Sequence, residues 1–188
     1  MKVAKCHLTS KSPYSQGRAH FEPKLDKEGA DAYEHRTWMK RLHVTTEGQV
    51  FIPPMAFANC AKESAKYLSI QIPGKGKSTY TKHFDAGLMV VEPLVLEVQA
   101  DDVPGEWLYV PADGRPGGSK RVQKCFPRID EWEGDVDFWL LDDTITEDVF
   151  RHVMKEAGRL IGIGRFRPRN RGYYGRFDVE LREWVSHE

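Results

Sequence analysis

Gly162-Ile163-Gly164-Arg165-Phe166-Arg167-Pro168-Arg169-Asn170-Arg171-Gly172-Tyr173-Tyr174-Gly175-Arg176-Phe177 joins a helical pattern to a strand pattern, and those two flanks decide the fold. Upstream, Val149, Phe150, Val153, Ala157, Leu160 and Ile161 recur at helical spacing. Thr144-Ile145-Thr146-Glu147 before them has the spacing of a capping box, and Gly162 stands where the helix should stop. Downstream, Arg176 to Trp184 alternates, with Phe177, Val179 and Leu181 in phase, and reads as a closing strand. The loop between carries an unusual load. Six arginines run from Arg159 to Arg176 with no acidic residue among them, and four glycines let the backbone turn sharply or approach a partner closely. Phe166, Tyr173, Tyr174 and Phe177 alternate with the arginines. Guanidinium forks suit phosphate oxygens and flat rings suit bases.

Outward from that loop, the other elements follow in reverse order. Val136–Leu141 reads as a strand, and Trp107–Val110 with Arg121–Phe126 as two arms of a hairpin. Its tip, Ala112–Lys120, is too long and Gly-rich for a two-residue turn, so it projects as a finger bearing Arg115, Lys120, Arg121 and Lys124. Leu88–Val91 and Leu94–Val98 are dense in β-branched residues and flank Pro93 as strands. Ile72–His83 reads as a Gly/Lys-rich loop offering Lys75, Lys77 and Lys82. Phe57, Cys60, Ala61, Ala65 and Leu68 fall at helical spacing after Pro53-Pro54, which ends the short strand Gln49–Ile52 and starts an amphipathic helix. Tyr33–Leu42 sets Trp38 among Arg36, Lys40 and Arg41, either as a piece docked on the core or as a stacking platform. The turn-rich, polar residues 10–32 read as a loop or mobile insertion, and Val3–Thr9 as the first strand.

The strong elements thus run strand, helix, strand, hairpin, strand, helix, strand. This predicts an α+β chain with a ferredoxin-like (RRM-like) β-α-β-β-α-β core in one domain over residues 1–188, with insertions at about 11–46, 73–84 and 111–121. The chain is long enough for a substantial core. Formal net charge is zero, but the charge is segregated. Residues 1–83 hold 14 Lys and Arg against 7 Asp and Glu, residues 84–150 hold 5 against 16, and residues 151–188 hold 9 against 5. Segregation on this scale can build a basic face and an acidic face on one molecule, although a solvated acidic surface is the commoner outcome. Cys6, Cys60 and Cys125 are odd in number and far apart, which predicts reduced core residues rather than disulfides or a zinc site. With neither a long apolar run nor a signal-peptide centre, no membrane partner is expected and the cytoplasm is the expected location. A Walker loop, a dinucleotide fingerprint, paired-cysteine spacing and a nucleophile elbow are all missing, so neither cofactor nor metal is expected. Asp101-Asp102 and Asp142-Asp143 read as turn and capping residues.

Two passages together resemble a known family. Gly48-Gln49-Val50-Phe51-Ile52-Pro53-Pro54-Met55-Ala56-Phe57 resembles the strand–IPGSSLKG–helix passage of the repeat-associated mysterious protein (RAMP) superfamily, with Pro54-Met55-Ala56 where the family has Gly-Ser-Ser. Gly162–Gly175, running on to Phe177, resembles its C-terminal glycine-rich loop. The likeness is greatest to the backbone subunit of CRISPR effector complexes, or to a compact relative from a phage or other mobile element acting in antiviral defence. It implies RNA contact through the glycine-rich loop, the start of the Met55–Leu68 helix and the Arg115–Lys124 finger.

The resulting expectation is a non-catalytic binder of single-stranded RNA or DNA, RNA by preference, that oligomerises along the strand like a filament and works with other effector subunits. The candidate contacts are Gly162, Gly164, Arg165, Phe166, Arg167, Arg169, Arg171, Gly172, Tyr173, Tyr174, Gly175 and Arg176, supported by Lys75, Lys77, Lys82, Arg115, Lys120, Arg121, Lys124, Arg36 and Trp38. A second class, a metal-independent endoribonuclease of the same superfamily, would draw its general base from His20, His35 or His43, with Tyr14 assisting. In a third class, a structural protein, the acidic 84–150 region of one copy would meet the basic loops of the next.

Overall fold

Alternation along the first strand decides which side of the sheet the helices cover. In β1 (Lys2–Ser10), Ala4, Cys6 and Leu8 are buried, while Lys5, His7 and Thr9 point to the other face. The structure, a computed structural model, describes every residue except Asp113, Arg115, Pro116, Gly118, Ser119, His187 and Glu188. After β1 come β2 (Tyr14–Ser15), α1 (Ala30–Thr37), β3 (Gln49–Ile52), α2 (Pro54–Leu68), α3 (Thr81–Gly87), β4 (Leu88–Val90) and β5 (Leu94–Gln99). The second half holds β6 (Gly105–Pro111), β7 (Arg121–Ile129), β8 (Glu133–Leu140), α4 (Glu147–Glu156) and β9 (Phe177–Ser186).

The main sheet is antiparallel with strand order β4-β8-β1-β9. Taken with α2 between β1 and β4, and α4 between β8 and β9, this is the ferredoxin-like arrangement that the element order predicts. A three-stranded sheet, β2-β7-β6, and a two-stranded one, β3-β5, are built from the segments that precede α2 and that separate β4 from β8. Pro93 therefore separates two strands of different sheets, since β4 joins the main sheet and β5 pairs with β3.

One hydrophobic core lies between the main sheet and the helices, with Phe138, Phe150, Phe57, Leu140 and Phe177 among its largest members. α2 opens on Pro54, where the missing N–H costs nothing, and turns Phe57, Cys60, Ala61, Ser64 and Ala65 inward. The small residues on that face admit α4 closely: Ser64 Oγ donates to the Val153 carbonyl at 2.9 Å, and Cys60 Sγ to the Ala157 carbonyl at 3.4 Å. Burial pushes the Cys6 and Cys60 thiols up to about 12 and Cys125 up to about 11, so all three stay protonated core residues. Among the described residues no helix is long and apolar enough to cross a membrane.

Three local expectations are corrected. α4 is capped by Thr146, whose side chain accepts from the Val149 N–H, two residues later than the capping-box spacing places it. The Gly/Lys-rich stretch ends earlier than expected, because Thr81–Gly87 forms α3, tethered by His83 Nδ1 to Asp142 at 2.6 Å. The polar stretch through Ala32 is not all loop, because α1 begins at Ala30. Of the two readings of Tyr33–Leu42 the docked one holds: α1 and a 3-10 turn over Trp38–Arg41 are fixed on the β6–β7 hairpin by Glu34, a buried carboxylate at 1% exposure. Glu34 accepts from Arg41 at 2.7 and 3.2 Å, from Lys124 at 2.8 Å and from the Cys125 N–H at 2.9 Å.

Candidate nucleic-acid interface

After α4 the helix widens into a π turn over Ala157–Ile161 and ends at Gly162, whose N–H donates to the Ala157 carbonyl. The following loop is held mainly by backbone. Ile163 N–H donates to the Gly175 carbonyl at 3.0 Å, Gly175 N–H to the Pro13 carbonyl at 2.7 Å, and Arg165 N–H to the Ser15 carbonyl at 2.9 Å. Glycine is required where these segments meet. At Gly164 φ is +74°, and a Cβ there would lie 2.5 Å from both the Ser15 carbonyl oxygen and Tyr14 Cε2. The tip is closed by a 3-10 turn over Pro168–Asn170.

The arginines do not act alike. Arg165 is half-buried, stacked on Phe126 at 3.7 Å, with its guanidinium 3.3 Å from Glu106 and 3.2 Å from Ser15 Oγ. Burial draws its guanidinium below the ordinary range, and Glu106 opposes that. Arg167 and Arg169 share the Glu63 carboxylate of α2, at 3.0 and 2.9 Å. Arg176 donates to the carbonyls of Arg159 and Tyr173, which makes it a clamp on the loop's own backbone. Arg171 is exposed, at φ +65°.

The rings also divide. Tyr174 is buried at 2% exposure and donates its hydroxyl to Glu106 at 2.7 Å, so it offers no free stacking face. Phe166, at φ +58°, and Tyr173 are 45% and 52% exposed, with ring centroids 5.9 Å apart. A bulky residue held in the left-handed region marks a strained position, and here the strain accompanies an outward-turned ring.

Beside this loop runs a groove of about 480 Å³, within the range of pockets that take small ligands. Gly164, Arg165 and Arg167 form one wall, and Gln16, Gly17, Arg18 and His43 another. The first turns of α2, with Met55, Ala56 and Asn59, complete it. Met55 is 55% exposed there. Arg18 and Asn59 carry no sequence signal: one sits in an irregular Gln-Gly-Arg stretch and the other on an otherwise ordinary helix. Nothing marks either one until the loop is folded against them.

Of the three candidate histidines only His43 reaches the groove. Burial, then Arg18, lowers its pKa, which keeps its ring neutral near pH 7. His35 stacks on Trp107 at 4.0 Å, and His20 lies beside Tyr33. Arg36 is paired with Glu28 at 2.8 Å, and Trp38 is half-buried against Gly105, so both serve the docked insertion. Lys124 is likewise engaged by Glu34. Arg121 donates to the Tyr109 carbonyl, Lys120 is exposed, and Arg115 lies outside the described residues. Lys75, Lys77 and Lys82 are exposed, and among the described residues no hydrogen bond or ion pair joins them to the arginine loop.

The open face of the main sheet is the surface on which RRM-type domains stack bases. Here it carries carboxylates. Cross-strand neighbours pair Lys5 with Asp137 and Glu183, His7 with Asp135 and Glu180, and Thr9 with Glu133 and Asp178. His7 Nδ1 lies 2.7 Å from Asp135, and Arg182 3.0 Å from the same carboxylate. That face repels a polyanion, whereas the arginine loop is bound to α2, one of the helices covering the opposite face. No family model matches the chain, and no curated protein does. Among solved structures it is similar to the crystal structure of Cmr6 from Pyrococcus furiosus, with 12% identity over 95% of this chain and 98% of that one, at a TM-score of 0.47.

Proposed function

We propose that this protein binds single-stranded nucleic acid, RNA by preference, without cleaving it. In this reading it is a cytoplasmic RAMP-like protein whose copies line up along the strand with other effector subunits. The observation that carries the reading is a groove in which Arg18, Arg165 and Arg167 converge at the start of α2 beside two exposed rings, on a molecule whose open sheet face is acidic. Phosphates run along the arginines, with Arg171 and the exposed Lys75, Lys77, Lys82, Lys120 and Arg121 extending the track, and bases stack on Phe166 and Tyr173. The test is fluorescence anisotropy with short labelled RNA, single-stranded DNA and duplex over a salt series. Binding should favour single strands and weaken with salt by a log–log slope of about −0.7 for each phosphate engaged. Arg18→Ala with Arg167→Ala should reduce affinity for every sequence and flatten that slope. Unchanged binding in that double variant refutes the assignment.

A second reading rests on His43, the one candidate base in the groove. Neutral imidazole near Arg18 suits abstraction of a 2′-hydroxyl proton in a metal-independent cleavage. RNA cleaved in the presence of a chelator, with activity lost in His43→Ala, would favour it over the binding role.

A further inference from the structure

Resting on that reading of the groove, we propose that Glu63 is a built-in stand-in for a phosphate. It occupies the guanidiniums of Arg167 and Arg169 until a phosphodiester displaces it. Its carboxylate gives one oxygen to each arginine, Oε2 to Arg167 at 3.0 Å and Oε1 to Arg169 at 2.9 Å. The two non-bridging oxygens of a phosphodiester offer the same two-point arrangement. Arg167 also lines the groove, whereas Glu63 is not among its lining residues, so an incoming strand in the groove reaches this guanidinium.

Exchange is physically easy here. Glu63 is 28% exposed and Arg169 48% exposed, so water reaches both and the pair is worth little in isolation. The loop does not depend on it for shape. Asn170 and Gly172 N–H groups donate to the Arg167 carbonyl, and Tyr174 N–H to that of Phe166, with no side chain of α2 involved. Glu106 differs. It also binds the Tyr174 hydroxyl, and its arginine is stacked on Phe126, which makes it a fixed part of the wall. Glu63 thus sets a threshold. Short or weakly charged anions fail to displace it, and a continuous phosphate chain succeeds because neighbouring contacts hold the strand in place.

The test compares wild type with Glu63→Gln and Glu63→Ala by anisotropy on labelled single-stranded RNA across salt, with thermal melts as the check on folding. Both variants should bind about fivefold tighter at low ionic strength, the factor set by a half-exposed ion pair. Their log–log salt slope should stay close to that of wild type, because the same phosphates are engaged once Glu63 has been displaced. Adding Arg167→Ala and Arg169→Ala should cancel the gain. Equal or weaker binding in the folded variants, a gain that survives loss of both arginines, or unfolding of both variants overturns the proposal, since Glu63 would then be a scaffold. If wild type binds and only the gain is missing, the threshold alone fails. If neither wild type nor the Glu63 variants retain RNA, the groove reading fails with it.

Discussion

Replacing Glu34 with glutamine tests whether the docked insertion is held as described. The side chain is 1% exposed and accepts four hydrogen bonds from Arg41, Lys124 and the Cys125 N–H. The amide keeps the shape and removes the charge, leaving Arg41, 14% exposed, with the Cys125 carbonyl at 3.0 Å as its main remaining acceptor. Breaking a buried pair costs about 3–5 kcal/mol, and Lys124, 34% exposed, recovers part of that from water, which sets the expectation near 3 kcal/mol. For a chain of this length each kcal/mol moves the midpoint by about 2–4 °C, so Tm should fall by about 6–12 °C at pH 7. The pH dependence gives a second reading of the same experiment. Burial pushes the Glu34 carboxyl up, but its hydrogen bonds to Arg41, Lys124 and the Cys125 N–H outweigh that and hold it below the usual range. A depressed folded-state pKa contributes stability that is fully present above the unfolded value, about 4.3, and lost as pH falls through the folded value. The gap between wild type and Glu34→Gln should therefore narrow on acidification below about pH 4.5. Calorimetric melts across that range decide it: a Tm within about 2 °C of wild type at pH 7, or a gap that stays constant into acid, refutes the account.

Gly164→Ala should cost about 1–2 kcal/mol for its left-handed backbone, and more for the contact with the Ser15 carbonyl and the Tyr14 ring. Its first effect should be loss of RNA binding, read by anisotropy before any fall in the global melt, because the loop is displaced from β2. Phe166→Ala with Tyr173→Ala should weaken single-strand binding by about 1–3 kcal/mol for each base that loses its ring, at an unchanged salt slope. A changed slope there would mean that the rings position arginines rather than stack bases.

The core was legible because its signals are local. α2 and α4 announce themselves by spacing, β1, β8 and β9 by alternation, and Gly162 by its place after the last periodic residue. What failed was partnership. Nothing in Leu88–Val98 says that the strands on either side of Pro93 pair with different sheets, since that depends on β3 and β8, both distant in the chain. The residues around Glu34 read either as a docked piece or as a stacking platform, because the anchor that decides for docking is a buried ion network. A lone glutamate on a weakly amphipathic helix has no periodic signature.

The arginine loop shows where composition misleads. Six guanidiniums close together read as one cationic surface, yet three of them are engaged by carboxylates from α2 and β6, segments far off in the chain. Charge counting cannot detect that pairing, because Glu63 sits in a segment of basic balance and Glu106 in an acidic one with no visible tie to the loop. The aromatic count misleads in the same sense: of adjacent Tyr173 and Tyr174, one faces solvent and the other closes the core of the loop. Tyr174 is turned inward by the bond from its hydroxyl to Glu106, which leaves Tyr173 on the outer side of the loop. The proposed binding surface is therefore smaller than the motif and made partly from elsewhere. Arg18 and the start of α2 complete it, and the motif's own Arg176 and Tyr174 are spent on holding the loop in the shape that brings them together.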